Sequence, residues 1–159
     1  MLLKTEKILN DWTDYNKHLN VAYYVLIFEK ASEVILNKFD MGSVSARKDK
    51  KSTFTIETNN IYKNEVKLNE EVDIFLTYFD HDEKRIHYKM SMVNKIKKHV
   101  SATIEVLSIY IDLSKRKVVN FEDNKKKMMD NFIKENLLRF EKNDLVFKEK
   151  LKKNLTKNN

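Results

Sequence analysis

Apolar residues recur along this chain with two different periods, and the switch between them divides it. From Val21 to Lys38 the spacing is helical: Val21, Tyr24, Val25, Phe28, Ala31, Val34 and Ile35 form one stripe. Ala22, Leu26, Ile27 and Leu36 carry the apolar surface most of the way round. A helix apolar on so many sides is expected to be buried on several of them. From residue 52 the period becomes two. Phe54 and Ile56 oppose Thr55 and Glu57 over 52–62, and Val72, Ile74, Leu76 and Tyr78 share a face over 71–80. After a turn at His81-Asp82-Glu83-Lys84, Ile86, Tyr88, Met90 and Met92 share a face over 85–94. Val100, Ala102, Ile104 and Val106 do so over 98–112. Repeated alternation with short connections predicts an antiparallel meander with one buried face. Phe75, Phe79, Leu107, Ile109 and Ile111 fall on the other face. That predicts a second covered surface, most simply a subunit interface.

The remaining segments are shorter. Residues 4–10 read as a brief strand, 11–20 as a polar loop, and 39–50 as a loop turning at Gly42. Residues 122–140 are amphipathic through Met129, Phe132, Ile133, Leu137 and Phe140. A further helix is expected over 144–155, through Val146 or Phe147, Leu151 and Leu155. The fold class is therefore α+β: a long central helix wrapped by a curled antiparallel sheet. Residues 1–120 make one domain and 121–159 a basic, helical C-terminal extension.

Composition narrows the chemistry. There is no cysteine among the 159 residues, which removes disulfides, thiolate metal sites and a cysteine nucleophile. Gly42 is the only glycine. A P-loop, a dinucleotide fingerprint and a serine nucleophile elbow each need at least two. No apolar run reaches the ~18 residues of a membrane span, and the N-terminus lacks the long apolar region of a signal peptide. A cytoplasmic protein is expected. The formal charge of +7 falls entirely after residue 114: residues 1–114 hold 17 basic and 17 acidic side chains, and 115–159 hold 14 and 7. A solvated lysine-rich face accounts for that excess without nucleic acid or membrane as a partner.

The stretch Trp12-Thr13-Asp14-Tyr15-Asn16-Lys17-His18-Leu19-Asn20-Val21-Ala22-Tyr23-Tyr24 concentrates polar and aromatic chemistry at the start of the long helix. Asp14-x-x-x-His18-x-Asn20-x-Ala22-x-Tyr24 resembles the opening of the hotdog-fold acyl-CoA thioesterases of the 4-hydroxybenzoyl-CoA thioesterase type. The match is closest to the betainyl-CoA thioesterases of carnitine degradation. Phe79-Asp80-His81-Asp82-Glu83-Lys84-Arg85-Ile86-His87 and Tyr110-Ile111-Asp112 extend the resemblance, which runs from about residue 8 to 120. It implies a hotdog fold, a homodimer or homotetramer, and hydrolysis of a Coenzyme A thioester without a cofactor. In one place the chain departs from the pattern: Lys17 stands where the family normally has glycine. A left-handed backbone there strains a lysine, unless Asn16 takes that conformation instead.

The resemblance implies that Asp14 is nucleophile or general base, and the residues alone do not choose between these. The first free N–H groups of the helix, near Asn20 and Val21, would polarise the carbonyl. His18 orients water or substrate, or is a loop histidine. Asn20 reads best as the helix cap. Trp12, Tyr15, Tyr23 and Tyr24 are candidates for an aromatic box around a quaternary ammonium, with core packing the alternative for at least two. Asn16 and Val21 complete the substrate-binding set. Glu57 faces substrate or pairs with a lysine across the sheet. Lys63, Arg85, Lys97 and Lys98 are the candidate Coenzyme A phosphate ligands, or else solvated surface charges. His81, His87 and His99 have no partners at metal-ligand spacing, so no metal site is expected. The alternative function is a non-catalytic hotdog module that binds acyl-CoA, inactivated by Lys17.

Overall fold

The computed structural model describes residues 1–152. Strand β1 (Leu2–Lys7) leads through a loop to helix α1 (Val21–Asn37), short helix α2 (Ser43–Asp49) and strand β2 (Lys51–Tyr62). Strands β3 (Glu71–His81), β4 (Arg85–Asn94) and β5 (Val100–Asp112) follow, then β6 (Lys117–Val118) and helix α3 (Asp123–Asn136). The sheet is antiparallel in the order β1-β3-β4-β5-β2, with β6 paired to β5 where β4 has ended. It curls round α1, giving the long helix and meander that the two periods predict. The loop expected over 39–50 contains α2. Gly42 caps that helix with an extended backbone, and a Cβ there would lie 1.9 Å from Asn37 Oδ1. Close approach, rather than a left-handed turn, calls for the glycine.

Helix α1 buries Tyr24, Ile27, Phe28, Ala31, Ser32 and Ile35 against the sheet. Val21, Val25, Leu26 and Val34 remain exposed. The helix is thus covered on one stripe and not on several sides. Helix α3 adds Met129 and Phe132 to the same core, where Phe132 meets Phe39 and Phe79 edge-on. It ends at Asn136, short of the expected residue 140.

Two bulges change which side chains face inward. In β3 the register slips between Leu76 and Tyr78. Phe79 therefore turns into the core, and Tyr78 points to the convex face, where it packs on His87 and Phe140. In β2 the slip between Thr55 and Glu57 leaves Ile56 out of the ladder and exposed. Thr55 and Thr58 then face the helix, while Phe54 lies beneath the Arg116 guanidinium. A one-residue slip reverses every later side chain in a strand.

The convex face is covered by the chain itself. No helix forms at 144–152 beyond a turn at Lys148–Lys150, and Leu155 lies outside the described residues. Instead this segment lies as a strap across the sheet. Glu105, fully buried on β5, accepts from the amides of Val146 (3.0 Å) and Phe147 (2.7 Å) and meets His87 Nε2 at 2.8 Å. Phe147 closes over His87, and Leu107 is buried alongside. The strap thus covers this part of the face from within the chain. Burial, the larger influence, holds the His87 imidazole below its ordinary pKa against the opposing pull of Glu105. A neutral His87 then donates through Nε2, and its buried Nδ1 has no partner among the described residues.

Candidate functional site

The polar loop is ordered by its own side chains. Asp14 Oδ1 accepts from the amides of Asn16 (2.8 Å) and His18 (3.1 Å), and Asp14 N–H donates to the His18 carbonyl at 2.9 Å. A short aspartate closing a turn on downstream amides is a local solution any such loop can use. Lys17 sits at the tip with φ 60°, in the left-handed region, so the lysine itself adopts the conformation and Asn16 does not. The Lys17 carbonyl accepts from Leu68 N–H at 3.0 Å, which fastens the tip to the loop before β3.

Asn20 caps α1 through its side chain, which accepts from Ala22 N–H at 3.0 Å. The Val21 N–H, first of the helix, has no acceptor among the described residues. The helix dipole makes that donor a favourable place for developing negative charge. Asp14 and Val21 thus stand seven positions apart, at the two ends of one loop that is tied shut by Asn20 N–H on the Trp12 carbonyl.

The other predicted residues are spread out. The His18 imidazole turns to Glu65, with Nε2 3.1 Å from Oε2. Lys67, hydrogen-bonded to Glu65, holds that carboxyl below the usual range. Trp12 stacks on Tyr23, and the outer face of its ring is occupied by Lys30 Nζ at 4.6 Å. Tyr24 is buried edge-on to Tyr62, and Tyr15 is 93% exposed. The four aromatics therefore do not converge on a box: Tyr23 and Tyr24 point about 100° apart on the helix, and a lysine already covers the tryptophan. Glu57 is held by Lys150, whose Nζ lies 2.6 and 2.7 Å from its two oxygens.

The four candidate phosphate ligands also divide. Lys97 pairs with Glu70, and Lys63 N–H bonds Ser101, so these two and Lys98 lie at the loop end of the sheet, near His18 and Glu65. Arg85 is at the far end of β4, roughly 30 Å away along the strand, and clamps Asp82 through two nitrogens.

A cavity of about 190 Å³ opens between α1 and the sheet, one helical turn below Val21. Val25, Phe28, Glu29 and Ser32 line it from the helix, and Thr55 and Tyr88 from the sheet. The Tyr88 phenol is buried, and that burial holds its pKa above the ordinary value against the opposing influence of the Ser32 and Ser108 hydroxyls. These lining residues had no signal in the sequence beyond ordinary helix and strand positions. Only knowledge of the β2 bulge brings Thr55 inward.

With this geometry in place, the family model described as the thioesterase-like superfamily matches residues 8–137. The chain belongs to the thioesterase-like superfamily. It is a thioester hydrolase with the hotdog architecture of its relatives. This family member is 27% identical over 115 residues to the betainyl-CoA thioesterase of Pseudomonas aeruginosa, covering 72% of each chain. Among solved structures it resembles a Staphylococcus aureus protein described in complex with CoA, at TM-score 0.78 and 21% identity over 84% of this chain and 85% of that one. It also resembles the DHNA-CoA thioesterase of Staphylococcus aureus, at TM-score 0.70 and 18% identity over 85% and 90%. No helix among the described residues is long and apolar enough to cross a membrane.

Proposed function

We propose that this thioesterase cleaves a Coenzyme A thioester with a short acyl group such as betainyl, with Asp14 as nucleophile or general base. The observation that carries the reading is the pairing of an anchored carboxylate with a free helix amide. Asp14 Oδ1 is committed to two N–H groups of its own loop, while Oδ2 has no partner among the described residues. The substrate carbonyl sits between Oδ2 and the Val21 N–H, which polarises its oxygen. Attack by the carboxylate gives an anhydride that water opens; attack by water gives the acid directly. Both routes release Coenzyme A thiol. No resident cofactor is needed for either.

Lys63, Lys97 and Lys98, at the same end as the loop, supply positive charge for the nucleotide phosphates. The name of the P. aeruginosa relative supplies the betainyl group. Exposed Val25 and Leu26 on α1 and Phe54 and Ile56 on the outer edge strand β2 support a homo-oligomer, and the chain works in the cytoplasm. The non-catalytic alternative drew on Lys17 distorting the loop. Lys17 instead carries the left-handed backbone itself, and the loop stays closed.

A panel of acyl-CoA thioesters assayed for free thiol tests this reading. Turnover that favours short acyl groups supports it. Tight binding of the whole panel with no thiol release would overturn it.

A further inference from the structure

The cavity beneath α1 has an electrostatic asymmetry that bears on what enters it. Among the described residues, Glu29 is the one acidic side chain lining it, and no lysine, arginine or histidine joins it there. The Glu29 carboxylate has no hydrogen-bond or ion-pair partner among the described residues; only its carbonyl is used, by Ser32 Oγ. A helical side chain leans toward its own N-terminus, which brings this carboxylate back over Val25 and the reacting end of the helix.

The rest of the lining selects among cations. The Ser32 hydroxyl is turned back to donate to the Glu29 carbonyl at 2.7 Å, and Thr55 Oγ1 lies 3.4 Å from Ser108 Oγ. They are poorly placed to satisfy the three donors of a primary ammonium. Phe28 and Val25, by contrast, offer apolar and aromatic surface. A cation with no N–H groups leaves no donor unsatisfied against such walls, and the carboxylate and the rings offset the hydration it gives up. Size agrees. A trimethylammonium group is four heavy atoms, roughly 120 Å³ at about 30 Å³ each, and the cavity is about 190 Å³. A twelve-carbon chain, at about 360 Å³ on the same scale, does not fit.

We propose that Glu29 is the specificity-determining residue of the acyl cavity and that it selects acyl groups ending in a quaternary ammonium. The proposal rests on the reading of Asp14 and Val21 as the reacting end. It places recognition on the helix carboxylate, not on the aromatic cluster of the loop.

The test compares two substrates of nearly identical shape: betainyl-CoA and its neutral carbon isostere, 3,3-dimethylbutyryl-CoA. In the wild-type protein kcat/KM favours betainyl-CoA. In Glu29→Gln the ratio of the two kcat/KM values falls by about two- to fivefold, the size of an ion pair at a solvent-exposed carboxylate, and the loss is carried by the KM for betainyl-CoA. Glu29→Lys reverses the preference toward succinyl-CoA. An unchanged ratio in Glu29→Gln overturns the proposal. An equal loss of kcat on both substrates also overturns it, since that marks a role in the chemistry. Wild-type protein that hydrolyses the isostere but not betainyl-CoA overturns the Glu29 proposal while leaving the site reading intact. Undiminished turnover in Asp14→Asn overturns the site reading itself.

Discussion

The carboxylate of Asp14 and the backbone amide of His18, four residues apart, are joined at 3.1 Å. One oxygen of Asp14 is therefore a structural group, and only the other is open to chemistry. Replacing Asp14 by asparagine retains the Oδ1 acceptor and the loop but removes the nucleophile or base. Thiol release is expected to fall about 10²–10⁴-fold, with thermal stability nearly that of the parent. Asp14→Ala should lose the activity and destabilise the loop as well. Steady-state kinetics beside thermal melts separate the two; equal melting temperatures for the two variants would show that the turn does not depend on the side chain.

Lys17 holds a left-handed backbone that costs a side chain about 1 kcal/mol relative to glycine. Its side chain offers little in return, a single exposed 3.3 Å bond to Asn10. Lys17→Gly is expected to raise Tm by roughly 2–4 °C and to keep activity. A lower Tm would mean that glycine's freedom in the unfolded chain outweighs the relieved strain.

The position of Lys17 shows how far sequence reasoning reaches in this protein. Local periodicity identified α1 and all four long strands, because helix and sheet burial impose 3.6- and 2-residue repeats. It misplaced Tyr78, Phe79 and Thr55, since a bulge depends on pairing with a partner strand and leaves no mark in its own alternation. Asn20 as a cap was legible because capping is local. Glu29 was not, because an exposed carboxylate on a helix is ordinary until the opposite wall of a cavity is known. The strap was hidden for a similar reason. Its amides, rather than its side chains, make the decisive bonds to Glu105, and the spacing of Val146 or Phe147 with Leu151 and Leu155 suggested another helix.

Glu105→Gln keeps the shape of the side chain but turns one acceptor into a donor facing an amide. One buried N–H is left unsatisfied, at about 1–3 kcal/mol. Trypsin should then cut at Lys148 and Lys150 well before the sheet unfolds. Cleavage at wild-type rates would show that Phe147 packing holds the strap without the carboxylate.

His87 links the strap to pH. Its folded pKa lies below the ordinary value because of burial, so the unfolded chain binds the proton more readily. The stability involved is complete above about pH 6.5, the unfolded value, and is lost as pH falls toward the folded pKa. Melts between pH 7.5 and 5.5 should show this decline, and His87→Gln should flatten it. A wild-type slope retained in the variant would assign the decline to other groups.

The partners of Glu105 lie 41 and 42 residues further along the chain. During synthesis at about 5–20 residues per second, Glu105 is made roughly 2–8 s before Val146 and Phe147. Until those two residues are made, Glu105 has His87 beside it but lacks the two strap amides, so the convex face cannot close over its carboxylate. Final drying of that face therefore waits for the last part of the chain, however quickly the strands pair.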